Sequence, residues 1–336
     1  MFYLSKHGVN TYIMSRQSKL ESFFKIEVSH DPQVLGCFVY DPLNRRALFT
    51  SAPDPNQDKY ITKKAGIHLY YRELEDTCTF IKPRIVAPSA STSTSIPLLK
   101  SNLQKAIRRG NTHVAINTTF LMLEKARTEF FRRLAIIYIE DVCLQDSYSI
   151  IVWLMMSNDE HTLRPTDYYI ILNIVRNLCE CPHVYPKPRG EPIYKTTHHE
   201  LQHLRGQDQL LALYYRFLYG GMKGDMEMLS NAIAYYIENP AEIVVTKYAP
   251  IDIVLEDTCL TILDVAIDFH PFPHLLRYIS NRTGIQKERV KQLIWEAESA
   301  YNIRKLDTIS TSQKRQAQSE WLTISPYLST FRATIM

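Results

Sequence analysis

Five consecutive residues, His199-Glu200-Leu201-Gln202-His203, have the types and spacing of a hydrolytic zinc site. On a helix, residues four apart share a face, so His199 and His203 could bind one metal ion while Glu200 takes a proton from the water it holds. That is the chemistry of a zinc metallopeptidase. Gly206 fits the longer form of the motif, but Gln209 stands where a third histidine would complete it, and Glu227 and Glu238 are the remaining acidic candidates. Thr196 to His198 before the motif and Arg205 to Asp208 after it make a polar helix start, whereas a zinc helix needs a packed core. The preferred reading is therefore a solvent-facing helix carrying histidines, with zinc and catalysis by Glu200 as the alternative. Cys179, Cys181 and His183, with His198, give a second metal alternative, on a spacing weaker than paired C-x-x-C.

A second chemistry is carried by cations. Lys100, Lys105, Arg108, Arg109, Lys125, Arg127, Arg132 and Arg133 fall within about 35 residues, enough to neutralise several phosphates. Of these, Lys100, Lys105, Arg108, Arg109, Arg132 and Arg133 are the candidate nucleic-acid contacts. The alternative is structural: a solvated helix face with cations near helix C-termini, or Arg132 and Arg133 paired internally with Glu140 or Asp141. Farther on, Gly220-Gly221-Met222-Lys223-Gly224-Asp225 could gather backbone amides, Lys223 and Arg216 around an anion. The spacing is not that of a phosphate-binding glycine fingerprint, so a helix stop followed by a cap at Asp225 is preferred there.

These groups need a scaffold, and composition bounds it. The 336 residues are 45% hydrophobic and 22% charged, which excludes a globally disordered chain. A net charge of +4 is too small to argue for nucleic acid, so local clustering must carry that case. Ten glycines against 21 tyrosines and 13 phenylalanines favour a helical, aromatic-filled interior. Six scattered cysteines read as buried thiols in a reducing compartment. The N-terminus lacks the pattern of a secretory signal, and no apolar run approaches the roughly 18 residues of a membrane span. The expectation is an intracellular protein, cytoplasmic or nuclear, with no membrane contact.

Residues 1–88 predict a small β-containing domain, with strands over Phe23–Val28, Leu35–Tyr40, Arg46–Thr50 and Gly66–Tyr71 and a loop over 51–58. Residues 89–97, rich in serine and threonine and closed by Pro97, form a linker. From 98 to 305 the period becomes helical. Amphipathic helices end at Gly110, run from His113 to Lys125 and from Thr128 to Ile139, and are followed by apolar helices over Ser147–Met156, Tyr168–Leu178, Leu210 onward, Met226–Glu238 and Ile251–Phe269. Trp153, Met155 and Met156 are expected in the core. Residues 306–336 read as a partly mobile tail or an arm docking through Trp321 and Tyr327. The fold class expected is mainly α, a helical array or bundle behind a small β-containing N-terminal domain.

Lys105, Ile107-Arg108-Arg109-Gly110, Ala115, Leu123-Glu124, Arg132-Arg133-Leu134 and Glu140-Asp141 with Leu144 and Asp146 resemble the C-terminal helical region of the RarA/MgsA family of clamp-loader-related AAA+ proteins, which includes the Werner helicase-interacting protein. The resemblance spans about 45 residues. It implies a collar-like oligomerisation region, protein partners or self-association as a homo-oligomer, and a setting in DNA replication or repair. No G-x-x-x-x-G-K-[ST] occurs in the chain, so the family's P-loop motor is absent. The function expected is a non-enzymatic helical assembly protein that could touch DNA. Two alternatives stand beside it, the zinc metallopeptidase and a structural subunit of a larger assembly.

Overall fold

In the computed structural model, the residues described are 36–73, 85–86, 95–186, 207–246, 258–266, 273–299, 301–304 and 311–335. Where β-branched and aromatic residues alternate, the chain forms strands: β1 (Cys37–Asp41), β2 (Arg46–Thr50), β3 (Asp58–Lys64) and β4 (Ile67–Arg72). They form one mixed sheet in the order β2-β1-β4-β3, with β1 and β4 parallel and the outer pairs antiparallel. β3 lies in and beyond the segment expected as a loop. It is a polar edge strand, DKYITKK, whose lysines protect the open edge and hide it from hydrophobic patterning. The strand expected over Phe23–Val28 lies outside the described residues.

Helices follow: α1 (Ile96–Arg108), α2 (Thr112–Lys125), α3 (Arg127–Asp141), α4 (Tyr148–Ser157) and α5 (Pro165–Glu180). After the gap come α6 (Asp208–Leu218) and α7 (Lys223–Glu238), then α8 (Pro273–Thr283), α9 (Lys287–Ile294) and α10 (Thr311–Ile335). The mainly α architecture with a small N-terminal sheet is thus as expected. Gly110 closes α1 at φ +67°, where a Cβ would press on Ile303, and Asn111 caps α2 by accepting from the Val114 amide. α5 departs from expectation at its start. Arg164 is the cap and Pro165 the first helical residue, while the Asp167 carboxylate accepts from the Arg164 amide.

α4 is buried on every side, and Trp153 ties it to the sheet by donating its indole N–H to the Phe38 carbonyl at 3.0 Å. Asp208 on α6 accepts from the Phe49 amide at 2.8 Å, and Tyr215 stacks on Phe49. Sheet and helices α1 to α7 therefore share one apolar core, with Trp153, Met155 and Met156 at its centre. Leu275, Ile279, Val290, Leu293, Ile324 and Leu328 form a second core that joins α8, α9 and α10.

One further stretch differs from the sequence reading. Within Ile251–Phe269, expected as one buried helix, the described residues hold a two-residue strand, β6 (Thr258–Cys259), parallel to β5 (Ile85–Val86), and a single 3-10 turn at Asp264–Ala266. Its Ile, Val and Thr content mimics a buried helix in hydropathy but favours extended backbone. Asn102 on α1 holds this segment, donating to the Thr261 carbonyl and accepting from the Leu263 amide. Of the tail or docking arm expected over 306–336, residues 311–335 are the helix α10, which packs Trp321 and Tyr327 on the second core as the docking alternative has it. Among the described residues no helix is long and apolar enough to cross a membrane.

Candidate functional site

Most of the cations singled out by the sequence converge on one cavity. α1 presents Lys100, Ser101, Gln104 and Lys105 at three- and four-residue spacing, which puts them on one face. α3 presents Glu129, Arg132, Arg133 and Ile136 at the matching spacing, and the two faces border a cavity of about 450 Å³. The third wall is the α6–α7 junction, through Arg216, Gly221, Met222 and Asp225. The glycine-rich turn and the basic helices, separate hypotheses in the sequence, are thus one site. Lys223 does not join it: its ammonium is exposed and lies 3.7 Å from Glu227 on the outer face.

The cations differ in depth and in partners. At the mouth, Lys100 donates to Glu129 at 2.7 Å, and Arg132 lies 3.8 Å from the same carboxylate and over the Tyr219 ring. The hydrogen bond from Lys100 holds the Glu129 carboxyl below its ordinary range. Arg133 donates to the Gln104 side-chain oxygen and lies 3.9 Å from Glu140, while its Nε is buried without a hydrogen-bond partner. Lys105 is almost fully covered.

Arg216 is the deepest. It is 2% exposed, and among the described residues its hydrogen bond runs from Nη1 to the Gly220 carbonyl at 2.9 Å. Its Nε has no partner, and no carboxylate among the described residues stands within ion-pair distance. Burial pulls its affinity for a proton below the usual guanidinium range, with Tyr148 and Asp225 as weaker counter-influences. A guanidinium so placed keeps its charge at any physiological pH, so among the described residues it is a buried cation with no carboxylate paired to it.

α7 adds a further donor group. Its N-cap, Met222, has no side chain that can accept, so the amides of its first turn have no side-chain cap at the cavity wall. Helix N-termini favour anions. The arrangement can hold negative charge.

Arg108 and Arg109, the other two candidates, point elsewhere. Arg108 is buried, with Nε on Asp141 at 2.6 Å and Nη2 on Glu140 at 3.3 Å, and Gln104 donates to the second Asp141 oxygen. Of the internal pairs anticipated as an alternative, Arg133 stands 3.9 Å from Glu140, whereas Asp141 is met by Arg108 and Arg132 faces Glu129. Arg109 lies over Tyr301 and donates to the Ala297 carbonyl.

His199, Glu200 and His203 lie outside the described residues, as does His198. Cys181 sits 3.9 Å from Cys143, sulfur to sulfur, and Cys179 is buried. Among the described residues no group of three or more His, Cys, Asp or Glu side chains gathers as a metal shell. Arg216 is what sequence reasoning failed to connect with α1 and α3: its segment, LALYYRFLYG, reads as an apolar core helix, and more than 80 residues separate it from Arg133. Compared with family models, curated proteins and solved structures, the chain matches none.

Proposed function

We propose that this chain is a non-enzymatic helical interaction protein whose recognition element is the basic cavity between α1, α3 and the α6–α7 junction, and that a phosphate-bearing group enters it. The observation that carries this reading is Arg216, a buried guanidinium without a carboxylate partner among the described residues, facing a cavity lined by Lys105 and Arg133. Burying an unpaired charge costs several kcal/mol, and an arriving anion offsets that cost. A cavity of about 450 Å³ falls within the ordinary range for compact ligands.

Nucleic acid is the second reading, favoured by Lys100 and Arg132, which stay partly exposed at the mouth and could reach a backbone phosphate. The replication or repair setting, and self-association, rest on the resemblance carried by residues 105–146.

The test is thermal unfolding with increasing tripolyphosphate or a short single-stranded DNA. Ligand that binds only the folded chain adds about 2.7 kcal/mol at a hundred times its Kd, a shift of several degrees. At least one of the two should raise the Tm of the wild type and leave that of Arg216→Met unmoved. No shift with either compound sinks the proposal.

A further inference from the structure

We infer that the cavity is a terminal-phosphate site: it takes a compact ligand that ends in a phosphate monoester or diphosphate, of the nucleoside-diphosphate class, and discriminates against the diesters of a nucleic-acid backbone. The inference rests on the phosphate-binding reading and specifies which phosphate.

Depth is the first argument. Side-chain exposure falls from 39% at Arg132 and 33% at Lys100 to 23% at Arg133, and the whole residues Lys105 and Arg216 are only 5% and 2% exposed. A group that engages Arg216 must travel past the mouth to the floor. The end of a molecule can do this. A diester, with chain leaving on both sides, would have to carry two bulky substituents down as well.

Charge is the second. Five cations and the two carboxylates of Glu129 and Asp225 leave the lining with three net positive charges. A diester brings one negative charge, whereas a terminal phosphate brings roughly −1.5 to −2 and three acceptor oxygens. A diphosphate adds the charge of its inner phosphoryl and comes closest to balance. The planar guanidinium on the floor and the first-turn amides of α7 present donors suited to a group with several terminal oxygens.

Titration calorimetry of the full chain separates the possibilities. The probes are pyrophosphate, adenosine diphosphate, a cyclic nucleoside monophosphate (a diester), and one oligonucleotide with either a 5′-phosphate or a 5′-hydroxyl. Pyrophosphate and adenosine diphosphate should bind at least roughly tenfold tighter than the cyclic diester, and the 5′-phosphate should strengthen oligonucleotide binding, as charge-assisted contacts to a dianion require. If the 5′-phosphorylated strand outbinds adenosine diphosphate, the terminal phosphate comes from a strand end; if not, it comes from a small molecule. Arg216→Lys, which keeps the charge and loses the fork, should weaken pyrophosphate roughly tenfold, and Arg216→Met should weaken it further. Circular dichroism confirms that both are folded.

Equal binding of diester and diphosphate overturns the inference while leaving a less selective phosphate site standing, whereas an unchanged pyrophosphate affinity in a folded Arg216→Met overturns the phosphate-binding reading with it. Silence from every probe removes both.

Discussion

At the scale of single residues, two arginines show how differently a buried cation can be used. Arg108 has both of its carboxylates at hand, Asp141 at 2.6 Å and Glu140 at 3.3 Å, so its charge is spent inside the fold. Removing Asp141 leaves that guanidinium and the Gln104 amide without their acceptor. Asp141→Ala should therefore destabilise the protein by about 3–5 kcal/mol, measured as the midpoint of urea unfolding, and a loss below about 1 kcal/mol would contradict the pairing. Arg216 has no such partner among the described residues, and the sign reverses. Replacing it by methionine keeps the stem that packs in the core and removes the desolvated charge. Arg216→Met should thus be as stable as the wild type or more so by about 1–4 kcal/mol in phosphate-free buffer. A stability gain alongside lost pyrophosphate binding marks a residue kept for a ligand; a large stability loss would mean that Arg216 holds the α6–α7 turn instead.

At the scale of elements, the sheet and the central helix depend on each other. α4 is apolar on all sides and needs a cover, which β1 and β2 supply through the Trp153 indole on the Phe38 carbonyl and through core packing. Trp153→Phe keeps an aromatic ring but leaves the buried carbonyl without that donor, so a loss of about 1–3 kcal/mol is expected in thermal or urea unfolding. A neutral result would show that another donor reaches Phe38. These elements were legible because each obeys one period: β2 matches its predicted bounds, α4 and α2 shift by a residue, and Gly110 and Asn111 punctuate α1 and α2 as their chemistry requires. β3 was hidden by its lysines, and β6 by β-branched residues that read equally well as buried helix. The site was half legible. Helical spacing put Lys100, Lys105, Arg132 and Arg133 on candidate faces, but which arginine meets Asp141 and which is left on a cavity floor depends on tertiary packing between segments far apart in sequence.

At the scale of the whole molecule, residues 301–304 form a seam against the larger core through hydrogen bonds from Asn302 and Arg304. Asn302 donates to the Asp141 carbonyl at 2.9 Å. Arg304 donates from Nε to the Cys181 carbonyl at 2.7 Å, from Nη1 to Ile107 at 3.1 Å and from Nη2 to Cys179 at 3.1 Å. Ile107 and Cys179 stand in the last turns of α1 and α5, and Cys181 caps α5, so one guanidinium satisfies orphan carbonyls of two helices and meets the negative ends of both dipoles. Burial lowers its proton affinity, yet the carbonyls keep it solvated by protein. Because its buried residues form a cluster of their own, the α8–α10 core is expected to open separately from the larger one. Arg304→Gln, with a shorter neutral side chain, should leave the α1–α7 core folded while amide hydrogens of α8 and α9 exchange faster, by roughly ten- to a hundredfold for the 1.5–3 kcal/mol of a charged hydrogen-bond set. If exchange in α8 and α9 stays at the wild-type rate, or if both cores lose protection together, the seam is not what couples them.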